Sequence, residues 1–127
     1  MSAWDSTGLS PEDQPRFEYV NRDQVPEELK EVFDSIVDSQ RGVGTLSNGA
    51  LPGPFNGWMY TDPEMARALD GIGMAVRSNT TNVPKTMKEV AICVIGAHFR
   101  SNVEFWAHSR IALAAGVRQE VLDSIYN

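Results

Sequence analysis

The stretch at residues 84–116 constrains the fold of this chain more than any other part of the sequence. It holds a nearly continuous apolar run at residues 90–97, a polar break at residues 100–102, and then a second segment of helix-forming residues. A run that is apolar all round favours a helix that is buried on every side. We therefore predict a helical hairpin at the centre of the fold, with a fully buried first helix.

Other segments show helical rather than strand patterning. In residues 26–42, apolar residues recur at i, i+3, i+4, i+7 and i+8, which predicts a helix with one buried stripe. The stripe consists of Leu29, Val32, Phe33, Ile36 and Val37. A short last helix is expected at residues 118–127. Because no segment alternates as a strand does, we predict an all-α fold built as a helical bundle.

One more helix is expected to begin near Thr61 or Asp62. Thr61 and Glu64 have the spacing of a capping box, in which each side chain bonds the backbone of the other. The predicted apolar face consists of Met65, Ala68, Leu69, Ile72, Ala75 and Val76. Gly71 and Gly73 weaken this helix but leave room for another backbone, so we expect tight packing on this side.

The remaining segments divide the chain into an arm and one domain. Residues 1–24 are polar, acidic and aperiodic, and we predict an extended N-terminal arm. Three aromatic residues are expected to pin this arm to a neighbour: Trp4, Phe17 and Tyr19. Residues 42–60 are rich in helix and strand breakers, and we expect their aromatic end to fold over the core as a short helical turn. We therefore predict that residues 25–127 form a single domain.

Charge and cysteine content exclude several classes of function. The formal net charge is -6 with scattered lysines and arginines, which argues against nucleic acid as a partner. The apolar run at residues 90–97 is too short to span a bilayer, and the first residues lack the pattern of a signal peptide, so we expect a cytoplasmic protein without membrane contact. Cys93 is the single cysteine, so it can form no internal disulfide, and we expect it to be buried and inert.

Two acids and one histidine are the main concentration of possible chemistry. Glu104 and His108 are four residues apart, which places both on one face of a helix about one turn apart. Glu89 opens the apolar run of the preceding helix. A solvated ion pair is the alternative for Glu104 and His108, and a first-turn acid facing the helix dipole is the alternative for Glu89.

With these residues in view, the chain resembles the carboxymuconolactone decarboxylase family, an all-helical superfamily shared with the AhpD-type alkylhydroperoxidases. The resemblance covers about residues 25–126. Its most specific part is the sequence KEVAI followed by EFWAHSRIALAAGV, and GPFNGWMYTDPEMA is similar to the access region of the longer members. The resemblance implies an AhpD-like bundle that forms trimers or hexamers. Family members usually continue past the fifth helix, so further sequence or a neighbouring subunit is expected to cover this end.

The resemblance also implies a reaction, the cofactor-free loss of carbon dioxide from a small carboxylated lactone in aromatic catabolism. His108 is then the proton carrier, and Glu89 and Glu104 orient the imidazole or act as acids. The predicted substrate-binding residues are Arg100, Arg110, Asn56, Trp58 and Trp106. The peroxidase branch needs two cysteines at the positions of Ser101 and Glu104, and their absence argues against thiol peroxidase activity.

Two other functions remain open at this stage. Two carboxylates and one imidazole resemble the facial ligand set of a metal-dependent enzyme, although we predict no metal and no cofactor. The chain could instead be a non-catalytic family member that kept the fold and lost the reaction. Among these functions, we predict a small-molecule lyase that forms homo-oligomers.

Overall fold

The computed structural model describes residues 16–79 and 82–126. These residues form six α-helices and one π-helical turn: α1 Glu27–Asp38, α2 Gly53–Trp58, α3 Pro63–Met74, the turn Ala75–Asn79, α4 Lys85–His98, α5 Asn102–Ala114 and α6 Gln119–Tyr126. The extended backbone found in the described part forms a single bridge between Asn21 and Ala50 rather than a strand. The predicted all-α fold is therefore confirmed.

The chain divides between Asn79 and Thr80 into two compact units, which we call the N-terminal unit and the C-terminal unit. None of the described helices is long and apolar enough to cross a membrane. The predicted division into an arm at residues 1–24 and a domain at residues 25–127 stays a prediction. Residues 1–15, with Trp4 among them, lie outside the described part, whereas Phe17 stacks on Tyr60 with ring centroids 5.0 Å apart.

The N-terminal unit is built on the apolar stripe of α1. Leu29, Val32, Phe33 and Ile36 are buried, as the spacing predicts, and Val37 packs against the same core. The predicted short turn in the loop is α2, whose Phe55 and Trp58 also pack there. These side chains join α1, α2 and the start of α3 into one hydrophobic core.

The cap and the buried face of α3 differ from the prediction. Asp62, not Thr61, caps the helix by accepting a hydrogen bond from the Glu64 backbone at 2.9 Å, while the Thr61 hydroxyl donates to the Trp58 carbonyl at 2.8 Å. The predicted apolar face is largely exposed, and Ile72 is 63% exposed. The buried residues of α3 are Ala66 and Asp70.

A buried polar cluster explains this rotation of α3. The Asp70 carboxylate accepts hydrogen bonds from the Ser35 hydroxyl at 2.8 Å and from the Arg41 guanidinium. Arg41 also lies over the Phe55 ring, 5.5 Å from its centroid. Because a buried carboxylate requires such partners, Asp70 faces the interior and the apolar residues turn outward. An added Cβ at Gly73 would overlap the Arg41 guanidinium, so this glycine makes room for a side chain rather than for a backbone.

The C-terminal unit is the predicted helical hairpin of α4 and α5, with α6 packed on α4. Its buried core consists of Cys93, Ala112 and Leu122, supported by Phe105 and Ile125 among others. The prediction that α4 is buried on every side is wrong, because α5 and α6 cover only one of its faces. The buried residues of α4 are Glu89, Cys93 and Gly96, and Val94 and Ile95 are exposed.

Candidate active site

The C-terminal unit brings the two predicted acids and the predicted histidine together. The Nδ1 atom of His108 on α5 lies 2.7 Å from Oε2 of Glu89 on α4. Its Nε2 atom lies 3.4 Å from Oε2 of Glu104, one turn earlier on α5. One imidazole therefore bridges two carboxylates, one from each helix of the hairpin.

The approach of α5 to α4 places these side chains, and Gly96 permits that approach. A Cβ added at Gly96 would lie 3.2 Å from the Phe105 backbone nitrogen and 3.4 Å from Cβ of Glu104. The contact at 3.2 Å is tighter than ordinary van der Waals contact and involves a backbone atom, so a side chain at position 96 would displace the start of α5 by a few tenths of an ångström. Because Glu89, Cys93 and Gly96 share one face of α4, the contact at Gly96 also aligns Glu89 with His108.

The three side chains run from the interior to the surface. The exposed fraction of the side chain is 1% for Glu89, 13% for His108 and 38% for Glu104. A fully buried carboxylate needs a hydrogen-bond donor, and the His108 Nδ1–H supplies one. The same contact fixes the ring orientation, as a carboxylate does for the histidine of a catalytic triad.

The hydrogen-bonding pattern of this bridge allows two arrangements of its protons. When Nδ1–H donates to an ionised Glu89, the Nε2 atom faces Glu104 as either a lone pair or an N–H. A lone pair there meets Glu104 favourably only if Glu104 carries a proton, and an N–H meets it favourably only if Glu104 is ionised. The Nε2 side of the ring lies near the surface, where an imidazole can pass a proton to or from a small molecule.

Cys93 lies one turn after Glu89 and is fully buried. Burial raises the pKa of the Cys93 thiol, and the negative charge of Glu89 raises it further. Thiol peroxidase chemistry needs a thiolate and a second thiol to resolve the oxidised form, whereas this environment disfavours the thiolate of the one cysteine in the chain.

The geometry does not suit a metal ion held by the same three residues. Glu89 contacts Nδ1 and Glu104 contacts Nε2, so the two carboxylates lie on opposite sides of the ring. An ion bound to one ring nitrogen could then reach only one of the two acids. Over residues 16–79 and 82–126, no group of three histidine, cysteine, aspartate or glutamate side chains is placed to hold a metal.

The predicted arginines lie on different parts of the hairpin. The Arg110 guanidinium lies over the Trp106 ring on α5, 4.2 Å from its centroid, as a cation–π pair. Arg100 stands at the turn between α4 and α5, where it lines a cleft of about 400 Å³. This cleft is lined by Gly96, Ala97, Arg100, Ser101, Asn102, Phe105 and Tyr126, and His108 is not among them.

Two predicted substrate-binding residues belong to the N-terminal unit. Asn56 is buried, and its side-chain oxygen accepts from the Val20 backbone at 3.1 Å while its nitrogen donates to the Glu18 carbonyl at 3.0 Å. Trp58 packs edge-on against Phe55 with centroids 4.8 Å apart. Both side chains thus hold this unit together, and their role in substrate binding stays a prediction.

No protein-family model, curated protein or solved structure matches the chain. What bears on its function is therefore the geometry of Glu89, His108 and Glu104. Sequence patterns did not identify Phe105 and Tyr126 as lining a cleft, because only the fold brings the last helix beside the turn after α4.

Proposed function

We propose that the chain is a cofactor-free carboxy-lyase of the carboxymuconolactone decarboxylase type. Its substrate is a small carboxylated lactone or a related carboxylic acid, and His108 is the proton carrier. The observation that carries the proposal is the 2.7 Å contact between His108 Nδ1 and the buried Glu89, which leaves Nε2 as the working nitrogen. The sequence resemblance supplies the reaction class, and the site chemistry is compatible with it.

The proposed reaction requires the protein to stabilise a developing oxyanion and to deliver one proton to carbon. The bond between the carboxylate carbon and the ring carbon breaks, carbon dioxide leaves, and the electron pair spreads onto the lactone oxygen as a dienolate. A proton from Nε2–H then passes to carbon, and Glu104 or solvent restores it. Glu89 holds the ring through its contact with Nδ1, and a nearby cation would stabilise the oxyanion.

We further propose that the subunit assembles as a homotrimer or homohexamer with an AhpD-like bundle and works in the cytoplasm in aromatic catabolism. Exposed apolar side chains on α4 and at its C-cap support assembly, since Met87, Val94, Ile95 and Phe99 are all exposed in the single chain. Light scattering at micromolar concentration tests this. A monomer there would contradict the proposed assembly.

The decisive experiment is a screen of carboxylated lactones and β-keto acids that follows carbon dioxide release. The parent is compared with His108→Ala and with His98→Ala, a matched control because His98 is exposed and lies against Phe99 rather than against an acid. We expect turnover to fall by about a hundredfold or more in His108→Ala and to stay near the parent rate in His98→Ala. Equal rates in His108→Ala and the parent would remove His108 from the mechanism.

A non-catalytic family member is the second candidate, and one observation favours it. His108 does not line the cleft at the α4–α5 turn, so a molecule in that cleft would meet Arg100 or Phe105 before the imidazole. Failure of the parent to turn over any compound in the screen, with an intact fold, would favour this candidate.

A further inference from the structure

The turn between α4 and α5 contains an arginine where the backbone favours glycine. Arg100 has a φ of 53°, the one positive φ among the described non-glycine residues. Left-handed backbone of this kind is costly for a residue with a side chain. The left-handed conformation of Arg100 therefore suggests that its side chain has a role besides folding.

The cause of the positive φ is the way α4 ends. The Arg100 backbone N–H donates to the Ala97 carbonyl at 3.0 Å, and the Ser101 N–H donates to the Gly96 carbonyl at 2.8 Å. These two bonds form a Schellman motif, whose left-handed position is usually glycine.

Helix α5 ends in the same motif with the usual residue. Gly116 has a φ of 99°, its N–H donates to the Leu113 carbonyl at 2.9 Å, and the Val117 N–H donates to the Ala112 carbonyl at 3.0 Å. The two helix ends thus make the same hydrogen bonds, but only the end of α4 carries a side chain at the left-handed position. The hydrogen bonds of the two motifs therefore do not explain that difference.

The surroundings of Arg100 provide a reason. Arg100 lines the cleft of about 400 Å³, which is within the size range of small-molecule sites. None of the described residues lining this cleft is acidic. Arg100 forms no ion pair within the described part of the chain. Glu104, the nearest acid along α5, instead contacts His108 one turn further along the helix. The guanidinium is therefore available for an anion from outside.

Two aromatic rings form another wall of the cleft. Phe105 and Tyr126 lie with their ring centroids 4.8 Å apart and tilted by 48°. Ser101 and Asn102 add neutral polar groups, and Gly96 and Ala97 leave room beside them. A cation next to an aromatic wall suits a ring that carries a carboxylate.

We propose that this cleft is a binding subsite for small planar ring carboxylates, in which Arg100 holds the carboxylate and Phe105 and Tyr126 contact the ring. Binding at this subsite does not depend on the proposed function. Only its link to turnover rests on that function, in which the subsite would hold the substrate beside Glu104. Glu104 connects the two places, because its Cβ lies near Gly96 of the cleft and its carboxylate lies 3.4 Å from Nε2 of His108.

The test is a nuclear magnetic resonance titration of the full chain with benzoate, with neutral benzamide as the matched ligand. We expect benzoate to shift the backbone amide signals of Gly96, Ala97, Ser101 and Asn102, and benzamide to bind about tenfold more weakly. Amide signals of the cleft that do not move at millimolar benzoate, or equal binding of benzamide, would overturn the proposal.

Arg100→Gly separates binding from folding. Glycine suits the Schellman position, so this variant is expected to raise the melting temperature while it lowers benzoate affinity at least about tenfold. Arg100→Gln gives the same binding test if the glycine variant behaves poorly, and Arg118→Gln, an exposed arginine outside the cleft, should bind like the parent. Unchanged benzoate binding in Arg100→Gly or Arg100→Gln would refute the role of Arg100.

His108→Ala distinguishes this site from the proposed reaction. Because His108 does not line the cleft, the variant should keep benzoate binding while it loses turnover. Binding without turnover in the parent would leave the subsite standing and the lyase proposal refuted. Turnover in the parent without any binding at the cleft would refute the subsite alone.

Discussion

Nδ1 of His108 lies 2.7 Å from Oε2 of Glu89, although the two residues are 19 positions apart and belong to different helices. This contact is a property of the hairpin and not of either helix alone. It allows a carboxylate to sit in the core of the C-terminal unit with 1% of its side chain exposed. The contact therefore belongs both to the core of this unit and to the candidate site.

The first prediction concerns the stability of this pair. His108→Ala leaves the buried Glu89 carboxylate without the imidazole, so we expect the free energy of unfolding to fall by about 2 to 4 kcal/mol. Urea denaturation monitored by circular dichroism measures it. His98→Ala, at an exposed position, should change the same quantity by less than about 0.5 kcal/mol.

A double-mutant cycle with Glu89→Ala shows whether the effect belongs to the contact. Removing both partners should cost less than the sum of the two single losses, with a coupling energy of about 1 to 3 kcal/mol. Additive losses would mean that the 2.7 Å contact does not hold the two residues together in solution.

The second prediction follows from the raised pKa of Cys93, which is due to burial first and to Glu89 second. A thiol whose pKa is raised on folding binds its proton more tightly in the folded state. Its contribution to stability is complete below the pKa of the unfolded thiol, about 8.5, and is lost as the pH rises through the folded value. We therefore expect the parent to lose stability above about pH 8.5 more steeply than Cys93→Ala does.

Unfolding in urea at pH 7.5, 9 and 10 tests this prediction. Comparison with Cys93→Ala cancels the titration of lysines and tyrosines, which both proteins share. Parallel pH profiles for the two proteins would mean that the thiol titrates normally in the fold.

The positions of the helices could be predicted from the sequence because they depend on local patterns. The stripe from Leu29 to Ile36, the short turn at Trp58 and the hairpin of α4 and α5 all follow from residue spacing and from helix breakers. Glu104 and His108 likewise meet because they are four residues apart on one helix. The meeting of Glu89 with His108 did not follow from spacing, since it depends on how α4 and α5 pack.

The buried faces of α3 and α4 could not be predicted from the same patterns. The exposed face of α3 follows from Asp70, whose partner Arg41 lies 29 positions away, and no local pattern predicts such a pair. The apolar run of α4 indicates hydrophobic character but not what covers it, so Val94 and Ile95 are exposed in the single chain. The left-handed conformation of Arg100 could not be predicted either, because a sequence without glycine at this position does not indicate a Schellman motif.

The third prediction compares two glycines on α3. In Gly73→Ala the new methyl group overlaps the Arg41 guanidinium, which the buried Asp70 holds in place. We expect a loss of about 1 to 3 kcal/mol in the free energy of unfolding, despite the higher helix propensity of alanine. Gly71→Ala is the matched control, since nothing lies within 4 Å of the added Cβ. It should be neutral or stabilise by up to about 1 kcal/mol, and equal effects at both positions would contradict the packing of Arg41.

The fourth prediction concerns Gly96, where α5 comes closest to α4. An added Cβ at 3.2 Å from the Phe105 backbone nitrogen cannot be relieved by rotating a side chain, because a backbone atom is in the way. In Gly96→Ala the start of α5 must therefore move away from α4, and Glu104 and His108 move with it. We expect a loss of about 1 to 3 kcal/mol in the free energy of unfolding and a changed nitrogen chemical shift for His108 Nδ1 as its contact with Glu89 lengthens.

Gly57→Ala, where the added Cβ meets nothing within 4 Å, should leave the His108 signal unchanged. If Gly96→Ala also leaves that signal in place, the close approach of the two helices is not what aligns the histidine with its buried acid.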